Sequence, residues 1–335
     1  MTHTIIVIPD TQALVAYNYP AEWEVHLHEA VDWIIAHKEA LNIQAVLHAG
    51  DIVHNHTVRS EFEAASAALN RLKTAGIPFI PCRGNHDGVP LYNEFFGFAT
   101  FQTFSEVGKY DEDDACNYYV ELVISGEPHL FLSLDFGPTD AVMEWASEVI
   151  QNHPDHHIMI ITHSYMFGDG TRVSPGDQAN PKLYYSYPVN DGEDMWQNYL
   201  KCLPNVRCVF SGHHLLGNVS HRVDLNDSGL PVFQSFQNWQ SAPEGGSGRF
   251  CLYEFTPPAE TGNVWNMVLR AYDPAAGIYM PIYEQSFVFD WPGELNWAGV
   301  PRFGFSRYST PGTLQSRAVT VTGESATVDA QAYLA

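Results

Sequence analysis

Apolar residues along this chain are grouped in two kinds of segment. Short, often β-branched runs are typical of buried strands, and longer segments with apolar residues three or four positions apart are typical of helices that bury one face. The two kinds alternate through most of the chain, and successive strand-helix-strand units favour parallel pairing. We predict strands at residues 4–8, 44–47, 77–81, 118–124, 129–134, 158–161 and 206–210, and helices at residues 21–40, 59–74, 139–152 and 193–202.

Beyond residue 213 the pattern changes, because strand-like pieces follow one another without long amphipathic helices. They predict a second, mostly antiparallel sheet. A stretch at 167–194 is rich in Gly, Pro, Asn, Asp and Tyr and is too long for a simple connector, so we interpret it as a loop over the functional site. The chain is therefore predicted to be an α/β protein. The late strand-like pieces are residues 232–236, 250–255, 264–272 and 280–289.

Polar residues follow five of the predicted strands at the point where each strand ends. Ligands of open α/β sheets bind at this carboxyl edge, where loops converge on rigid strands. Asp, His and Asn side chains suit Mn, Fe or Zn better than the all-oxygen shells of Ca or Mg. Two such cations, held about 3.5–4 Å apart by a bridging carboxylate, activate a water and clamp the oxygens of a phosphate ester. The five islands are Asp10-Thr11-Gln12, Gly50-Asp51-Ile52-Val53-His54, Gly84-Asn85-His86-Asp87, Thr162-His163 and Ser211-Gly212-His213-His214.

Among the 335 residues, 39 acidic and 16 basic ones give a formal net charge of −23. This charge makes an extended nucleic acid an unlikely partner, but it is compatible with a small phosphorylated substrate held by bound cations, because metal charge dominates at short range. The five cysteines are scattered without metal-ligand spacing, and we interpret them as reduced, buried thiols. We find neither a charged leader with an apolar core nor an apolar run of membrane-spanning length, and therefore expect a cytoplasmic protein without a membrane anchor.

As a set, the islands resemble the ordered motifs of the calcineurin-like metallophosphoesterases. The resemblance covers residues 4–290, and its most specific part is Gly50-Asp51 together with Gly84-Asn85-His86-Asp87. It implies a four-layer α/β/β/α sandwich, with two mixed β-sheets flanked by helices, and a centre of two divalent or trivalent metal ions. We assign the domain to residues 1–290. Residues 291–335 are predicted to be a C-terminal extension, in which 317–334 alternate as in a β-hairpin.

By position in the motifs, the resemblance implies a role for each residue. Asp51 is the carboxylate that bridges two metals, and Asp10 belongs to the first metal. His86 is not a ligand; it faces the phosphate, where it stabilises the transition state or protonates the leaving oxygen. The shell of the second metal is completed by Asn85, His163 and His213.

Three departures from the family pattern concern the first metal. Gln12, a weaker neutral donor, stands where the family usually has a histidine, and Leu215 replaces the second histidine of the last motif, with His214 displaced by one residue. At the position of His54, many members have an aspartate that orients the motif histidine, and purple acid phosphatases have a metal-binding tyrosine. Two interpretations of His54 stay open. It binds the first metal beside the two aspartates, with Gln12 as a further or water-mediated donor, or it supports the site without touching metal.

We therefore expect an enzyme that hydrolyses a phosphodiester or phosphomonoester with a metal-activated hydroxide. The alternative is a catalytically weakened protein of the same fold that binds metal or phosphate and holds one tight ion, and Gln12 and Leu215 motivate it. A mononuclear iron oxygenase would need two histidines and one carboxylate with open positions, and the bridging-aspartate motif argues against it. Residues 165–194 and 237–248 are predicted to set specificity, because their aromatic and amide groups suit an organic leaving group.

Overall fold

Two β-sheets face each other and helices cover their outer faces in the computed structural model, which describes residues 1–101, 107–259 and 262–303. The strands are β1 (His3–Ile8), β2 (Ile43–His48), β3 (Phe79–Pro81), β4 (Val107–Lys109), β5 (Tyr118–Ile124), β6 (Glu127–Leu134), β7 (His157–Thr162), β8 (Val206–Ser211), β9 (Val219–Leu225), β10 (Pro231–Gln237), β11 (Phe250–Thr256), β12 (Val264–Asp273), β13 (Ile278–Tyr279) and β14 (Gln285–Asp290). The α-helices are α1 (Gln12–Val15), α2 (Glu24–His37), α3 (Arg59–Thr74), α4 (Leu91–Phe96), α5 (Asp140–Asn152) and α6 (Gly192–Asn198). Short 3-10 helices lie at Ala21–Trp23, Phe98–Thr100, Pro181–Leu183, Leu200–Cys202, Pro243–Gly246 and Pro281–Tyr283.

The first sheet contains the strands of the predicted N-terminal strand-helix-strand units. Its order is β13-β12-β11-β1-β2-β3, and β14 also pairs with β12. Strands β1, β2 and β3 are parallel, whereas β11 lies antiparallel on the other side of β1. The register places Ile8 opposite His48 and His48 opposite Pro81, so the loops that follow the three strands leave the sheet at one edge.

The second sheet has the order β4-β5-β6-β7-β8-β10-β9. Its centre is parallel, from β6 through β7 and β8 to β10, and antiparallel strands lie on either side of this centre. Both sheets are therefore mixed, as the sequence predicted.

Three apolar layers hold the sheets and helices together. Side chains such as Val7 and Phe210 fill the space between the two sheets. Phe62 of α3 packs on the outer face of the first sheet, and Met143 of α5 and Trp196 of α6 pack on the outer face of the second. Complete burial of such a side chain contributes about 1.5–3 kcal/mol relative to its exposure. The order helix, sheet, sheet, helix confirms the predicted α/β/β/α sandwich.

Local sequence explains where two of the helices begin and end. α5 begins after Thr139, whose side chain accepts a hydrogen bond from the backbone N–H of Val142. α3 has the predicted bounds, and the chain reverses after it at Gly76, whose φ of 68° is readily adopted by glycine.

The strands beyond residue 213 do not form a sheet of their own, contrary to the prediction. β9 and β10 extend the second sheet, whereas β11, β12, β13 and β14 extend the first sheet from the free edge of β1. The physical reason is that an apolar run specifies a strand but not its partner. β1 is apolar on both faces, and its remaining edge is satisfied by β11, which is distant in sequence.

Several other elements differ from the prediction. The predicted helix 21–40 is a 3-10 helix followed by α2, which ends at His37, and the predicted strand 77–81 begins only at Phe79. The predicted strand 280–289 begins only at Gln285, because Pro281 starts a 3-10 helix before it. The predicted helix 193–202 ends at Asn198 and is followed by a 3-10 turn. β9 escaped prediction because its alternation is interrupted by polar residues on an edge strand.

Part of the predicted C-terminal extension packs on the sandwich. Trp291 is buried, and its Nε1–H donates a hydrogen bond of 2.8 Å to the carbonyl oxygen of Pro231. The hairpin predicted at 317–334 lies outside the described residues, and the domain boundary at residue 290 stays a prediction. In the ranges that the structure describes, we find no helix with the length and apolar character needed to cross a bilayer.

Candidate metal centre

Loops from both sheets converge at one edge of the sandwich. They follow β1, β2 and β3 of the first sheet and β7 and β8 of the second, so the carboxyl edges of the two sheets meet there, as predicted. These loops carry, in chain order, Asp10, Asp51, Asn85, His86, His163 and His213.

Glycines allow these loops to approach one another closely. A Cβ atom on Gly84 would lie 2.2 Å from Oδ1 of Asp51 and 2.3 Å from its backbone nitrogen. A Cβ on Gly50, whose φ is 91°, would lie 2.7 Å from Nδ1 of His163. A larger residue at either position would therefore displace Asp51 or His163.

Asp51, His163 and His213 form the centre of the site. One ligand atom from each lies within 4.8 Å of the other two. His163 Nε2 is 3.1 Å from Oδ2 of Asp51 and 3.1 Å from Nδ1 of His213. All three residues are at most 8% exposed, and Asp51 and His213 line a cavity from which a ligand can reach them.

Backbone carbonyls on the far side of both imidazoles fix which nitrogen faces the centre. Nδ1–H of His163 donates to the carbonyl oxygen of Ala49 at 2.7 Å, and Nε2–H of His213 donates to that of Ala179 at 3.1 Å. When both rings are neutral, the lone pairs of the two other nitrogens face each other and the carboxylate. Such convergent lone pairs call for a cation between them, and this anchoring is usual for metal-binding histidines.

The same geometry shifts the pKa values of these groups. Burial, together with the neighbouring His163, lowers the pKa of His213 to about 3. Burial also disfavours charged His163, but Asp51 and Asp10 outweigh burial and raise its pKa to about 9. Burial raises the pKa of Asp10 to about 7, with His163 opposing this shift and Asp51 adding to it. The carboxylates therefore favour positive charge at the centre.

Two amide oxygens beside the centre have no hydrogen-bond donor among the described residues. Asn85 Oδ1 and Gln12 Oε1 are both buried acceptors, and both residues line the same cavity as Asp51 and His213. An unsatisfied buried acceptor costs about 1–3 kcal/mol. A cation would satisfy both oxygens, so the donor set fits the metal chemistry that the sequence predicted.

Asn238 and Gln240, just after β10, support the first island. Asn238 Nδ2 donates to Asp10 Oδ2 at 2.9 Å, and the backbone N–H of His213 donates to Oδ1 at 3.2 Å. The Nε2 amide group of Gln12 donates to Oε1 of Gln240, which leaves Oε1 of Gln12 unbonded. Sequence reasoning assigned this segment to specificity and missed these contacts, since 228 positions separate the partners. Asn238 and Gln240 closely follow the strand predicted at 232–236, as the five islands follow their strands, and this position was the signal that could have revealed them.

His86 and His54 lie side by side at the rim of the centre. The backbone N–H of His86 donates to Asp51 Oδ1 at 2.9 Å, and its Nδ1–H donates to the carbonyl oxygen of His54 at 2.6 Å. The His54 ring stacks on the His86 ring with centroids 5.5 Å apart. The backbone N–H of His54 donates a hydrogen bond to the carboxylate of buried Glu61. His54 therefore orients His86 through its carbonyl. Neither His54 nor Asp10 belongs to the compact group of Asp51 and the two histidines.

The remaining motif positions serve as scaffold or cavity wall. His48 is fully buried and hydrogen-bonds Thr11 at 3.0 Å, which joins the loops after β1 and β2. His214 bonds Ser164 at 3.3 Å through Nε2, and its ring packs on Phe167 with centroids 4.1 Å apart. The carboxylate of Asp87 accepts hydrogen bonds from the backbone N–H groups of Ile52, Val53 and Gly84.

A cavity of about 490 Å³ opens beside the centre. The loop predicted to cover the site contributes Gln178, Ala179 and Tyr184 to its wall, and the segment after β10 contributes Gln240. The loop thus lies where the sequence placed it. The remaining lining residues are Gln12, Asp51, Asn85, His86, Phe167, His213, His214, Leu215 and Leu216.

Comparison with known proteins agrees with this geometry. Uncharacterized protein YvnB of Bacillus subtilis (strain 168) is 28% identical over 265 residues, which cover 76% of this chain and 19% of YvnB. The chain therefore spans about a fifth of the length of this relative. Purple acid phosphatase PPD1 from yellow lupin (Lupinus luteus) seeds shares the fold, with a TM-score of 0.51 at 13% identity over 86% of this chain and 53% of the phosphatase.

Residues 3–216 match the family model of the calcineurin-like phosphoesterases, and the matched range contains every motif residue from Asp10 to His213. Members of this family hydrolyse phosphate esters with the aid of divalent metal ions. The match covers more than half of the chain and includes each loop that builds the centre. The protein belongs to the calcineurin-like phosphoesterase family.

Proposed function

We propose that this chain hydrolyses a small phosphate ester at a two-metal centre. The observation that carries the proposal is the convergence of buried ligand atoms. His163 Nε2 lies 3.1 Å from Oδ2 of Asp51 and 3.1 Å from Nδ1 of His213, and the buried Oδ1 atom of Asn85 on the same cavity has no hydrogen-bond partner among the described residues. These donor types suit Mn, Fe or Zn.

The ligands divide into two sets that share one carboxylate. Asp51 bridges the sets, since its Oδ2 faces His163 and its Oδ1 lies on the side of His86. Asn85, His163 and His213 hold the second metal. Asp10 would hold the first metal, and Gln12 and His54 are the two candidates for its further donors.

Gln12 and His54 are supported unequally as donors to the first metal. Gln12 Oε1 is buried, lacks a donor and lines the cavity. The imidazole of His54 stacks on His86 and meets Tyr19 edge-on with ring centroids 5.9 Å apart, beside the cavity rather than in its lining. We therefore favour Gln12 as the direct donor and assign His54 mainly to the orientation of His86.

His86 acts on the phosphate. With Nδ1–H held by the His54 carbonyl, Nε2 is the ring nitrogen available to a substrate in the cavity. There it stabilises a developing oxyanion or donates a proton to the leaving oxygen. When bound, the cations supply an activated water and positive charge for the phosphate oxygens. Buried Asp51 and its neighbours keep these groups in place without rearrangement.

A catalytically weakened protein with one tight ion is the second candidate function. It is favoured by one observation, namely that Asp51, His163 and His213 form a compact group while Asp10 and His54 lie outside it. Both oxygens of Asp10 already accept hydrogen bonds. In this candidate the second-metal ligands retain their role and the first-metal ligands serve as scaffold.

A count of bound metal together with turnover separates the two candidates. The purified chain would be stripped with chelator and reloaded with Mn, and metal would be measured by mass spectrometry beside hydrolysis of 4-nitrophenyl phosphate and bis(4-nitrophenyl) phosphate. Two equivalents of metal with turnover support the enzyme, whereas one tight equivalent without turnover supports the second candidate. Asp51→Asn should lose metal binding and turnover. Asp155→Asn, which lies just before the start of β7 and away from the centre, should retain both properties.

We also propose a cytoplasmic location and a small phosphorylated molecule as the partner. All five cysteines are free, and four of them are buried, which suits a reducing compartment.

A further inference from the structure

The cavity beside the metal centre has one apolar wall. Its volume of about 490 Å³ is typical of a site for a small organic molecule. Leu216 is 84% exposed and Leu215 is 54% exposed, although both are large apolar residues. Phe167 and Tyr184 lie on the same cavity. An apolar group that covered this wall would remove its surface from water, and this burial favours binding by about 25 cal/mol per Å² of apolar surface.

The apolar wall is held in place by backbone packing. A Cβ atom on Gly168 would lie only 2.0 Å from the carbonyl oxygen of Leu216, so the loops that carry Phe167 and Leu216 touch backbone to backbone. Phe167 also packs on His214, and Tyr184 meets Phe136 edge-on with centroids 5.1 Å apart. A wall fixed in this way loses little conformational entropy when a ligand binds.

The described residues that line the cavity include no lysine and no arginine. Cationic side chains on the neighbouring loops are occupied elsewhere. Arg83, which precedes Gly84, binds Asp135 through Nε at 2.9 Å and through Nη2 at 2.5 Å. Lys182 binds Asp191 at 3.1 Å and also Asp194. A substrate with several negative charges would therefore find no lysine or arginine in the described lining of the cavity.

The charge of the ester decides between two kinds of substrate. A phosphodiester carries one negative charge, whereas a phosphomonoester approaches two at neutral pH because its second ionisation lies near pH ~6. A net charge of −23 repels the more highly charged molecule more strongly. Both the cavity lining and the long-range field thus favour the singly charged ester.

We propose that the substrate is a small phosphodiester with one negative charge and a flat, apolar substituent that packs against Phe167, Tyr184 and Leu216. This inference rests on the proposed function, since it names the ester that the metal centre cleaves. It predicts selection by charge at the phosphorus and selection by shape at the apolar wall, and these two properties can be measured separately.

Selection by charge is tested with two esters that share one leaving group. The Mn-loaded chain should hydrolyse methyl 4-nitrophenyl phosphate, which has a single aryl ring as the monoester does, with a kcat/KM at least tenfold above that for 4-nitrophenyl phosphate. Calorimetric titration with methyl phenyl phosphate, whose poorer leaving group slows turnover, should give a Kd at least tenfold below that of phenyl phosphate.

Selection by shape is tested with two exposed leucines. Leu216→Ala should raise KM for bis(4-nitrophenyl) phosphate threefold to tenfold with kcat changed less than twofold. Leu183→Ala, which removes a 70% exposed leucine one residue before Tyr184 but outside the cavity lining, should leave both constants unchanged. Phe167→Ala should raise KM further, and Phe167→Leu should restore part of the loss.

The outcomes distinguish this inference from the proposed function. Equal or faster hydrolysis of the monoester would overturn the inference while leaving a working phosphoesterase. An unchanged KM in Leu216→Ala and Phe167→Ala would overturn the assignment of the wall. Absence of turnover with both esters, despite two bound metals, would overturn the proposed function and the inference with it.

Discussion

Individual side chains at the centre are oriented by backbone groups more than by one another. Carbonyl oxygens of Ala49, His54 and Ala179 each hold one imidazole by the nitrogen that faces away from the site or cavity. This arrangement fixes the tautomer of each ring, so the remaining nitrogen is available to metal or substrate. Because backbone atoms do the orienting, the residue types at those three positions carry no sequence signal of the role.

Replacement of His86 tests the role of its free nitrogen. His86→Asn should lower kcat about 10²- to 10⁴-fold, since general acid catalysis typically contributes that much. Metal content should stay unchanged, because the His86 contact with Asp51 comes from its backbone N–H. Steady-state kinetics and metal analysis check both statements. His28→Ala on α2 is the control, and a kcat of His86→Asn equal to that of the control would contradict the assignment.

Gln240 is expected to position Gln12 for the first metal. Gln240→Ala removes the acceptor of the Gln12 amide hydrogen, so Oε1 of Gln12 loses its fixed direction. Loss of such an outer contact typically weakens metal affinity about 10- to 100-fold. Calorimetric Mn titration should show this weaker affinity for one of the two ions. The control Gln197→Ala on α6 should bind both ions with unchanged affinity. Two unchanged affinities would contradict the positioning role of Gln240.

Among the elements, the short loops at strand ends carry most of the site. Glycines let the loops pass within contact of each other, and buried Asp87 ties the loop after β3 to the loop after β2. The segment after β10 contains a left-handed turn in which Glu244 and Ser247 have φ of 56° and 52° and lie on either side of Gly245 and Gly246, whose φ is also positive. A Cβ atom added at Gly245 would lie 3.0 Å from Cβ of Ala13 in α1, so the chain packs closely on this helix. The glycine cluster at 245–248 is therefore a packing element.

Gly84→Ala should damage the centre through a direct steric conflict. Its Cβ would meet Oδ1 and the backbone nitrogen of Asp51 at 2.2 and 2.3 Å, so the bridging carboxylate must move. We expect loss of Mn binding and a decrease of about 1–3 kcal/mol in the free energy of unfolding, as for other overpacked sites. Urea unfolding and Mn titration measure these effects.

Gly293→Ala is the matched control for this substitution, because an added Cβ there meets no atom within 4 Å. Normal Mn affinity in Gly84→Ala would mean that the two loops separate without cost, which would contradict the rigid placement of Asp51.

On the scale of the whole molecule, the two ends of the sandwich hold histidines in different states. At the end away from the metal centre, His3, His129 and His157 begin strands or lie near their starts and are buried beside one another. Their pKa values are lowered to about 3, 4 and 2, mainly by burial, and neighbouring histidines contribute to the shifts of His3 and His157. These rings therefore stay neutral in the folded protein at neutral pH.

Acid should destabilise the fold through these three histidines. Above pH 6.5 they are neutral in both states; as the pH falls below this value the unfolded chain binds protons that the folded chain excludes, until the pH reaches the folded pKa values. Each histidine then contributes a loss of up to about 1.4 kcal/mol per pH unit. Urea unfolding at pH 7, 6 and 5 should show this decrease, and His129→Phe should reduce its slope. An equal slope in the variant would contradict the assignment.

Elements and motif positions could be predicted from the sequence, whereas the pairing partners of the strands could not. The bounds of α3 and the positions of Asp51, Asn85 and His163 could be predicted, because periodicity and short motifs are local properties of the chain. The placement of β11 to β14 in the first sheet could not be predicted, because pairing joins residues far apart in sequence. The role of His54 was likewise left open by sequence, since its carbonyl rather than its ring holds His86.

The sequence by itself determined the α/β class, the order of the motif residues and the kind of metal chemistry that they suit, since strand ends and donor types are written locally in the chain. Only the tertiary structure decided which donors lack a partner, which nitrogen of each histidine faces the centre, and how Asn238 and Gln240 support Asp10 and Gln12. These properties depend on contacts between loops of two sheets. Such contacts are strong because hydrogen bonds are stronger, and unpaired polar groups less favourable, in the buried interior than in water.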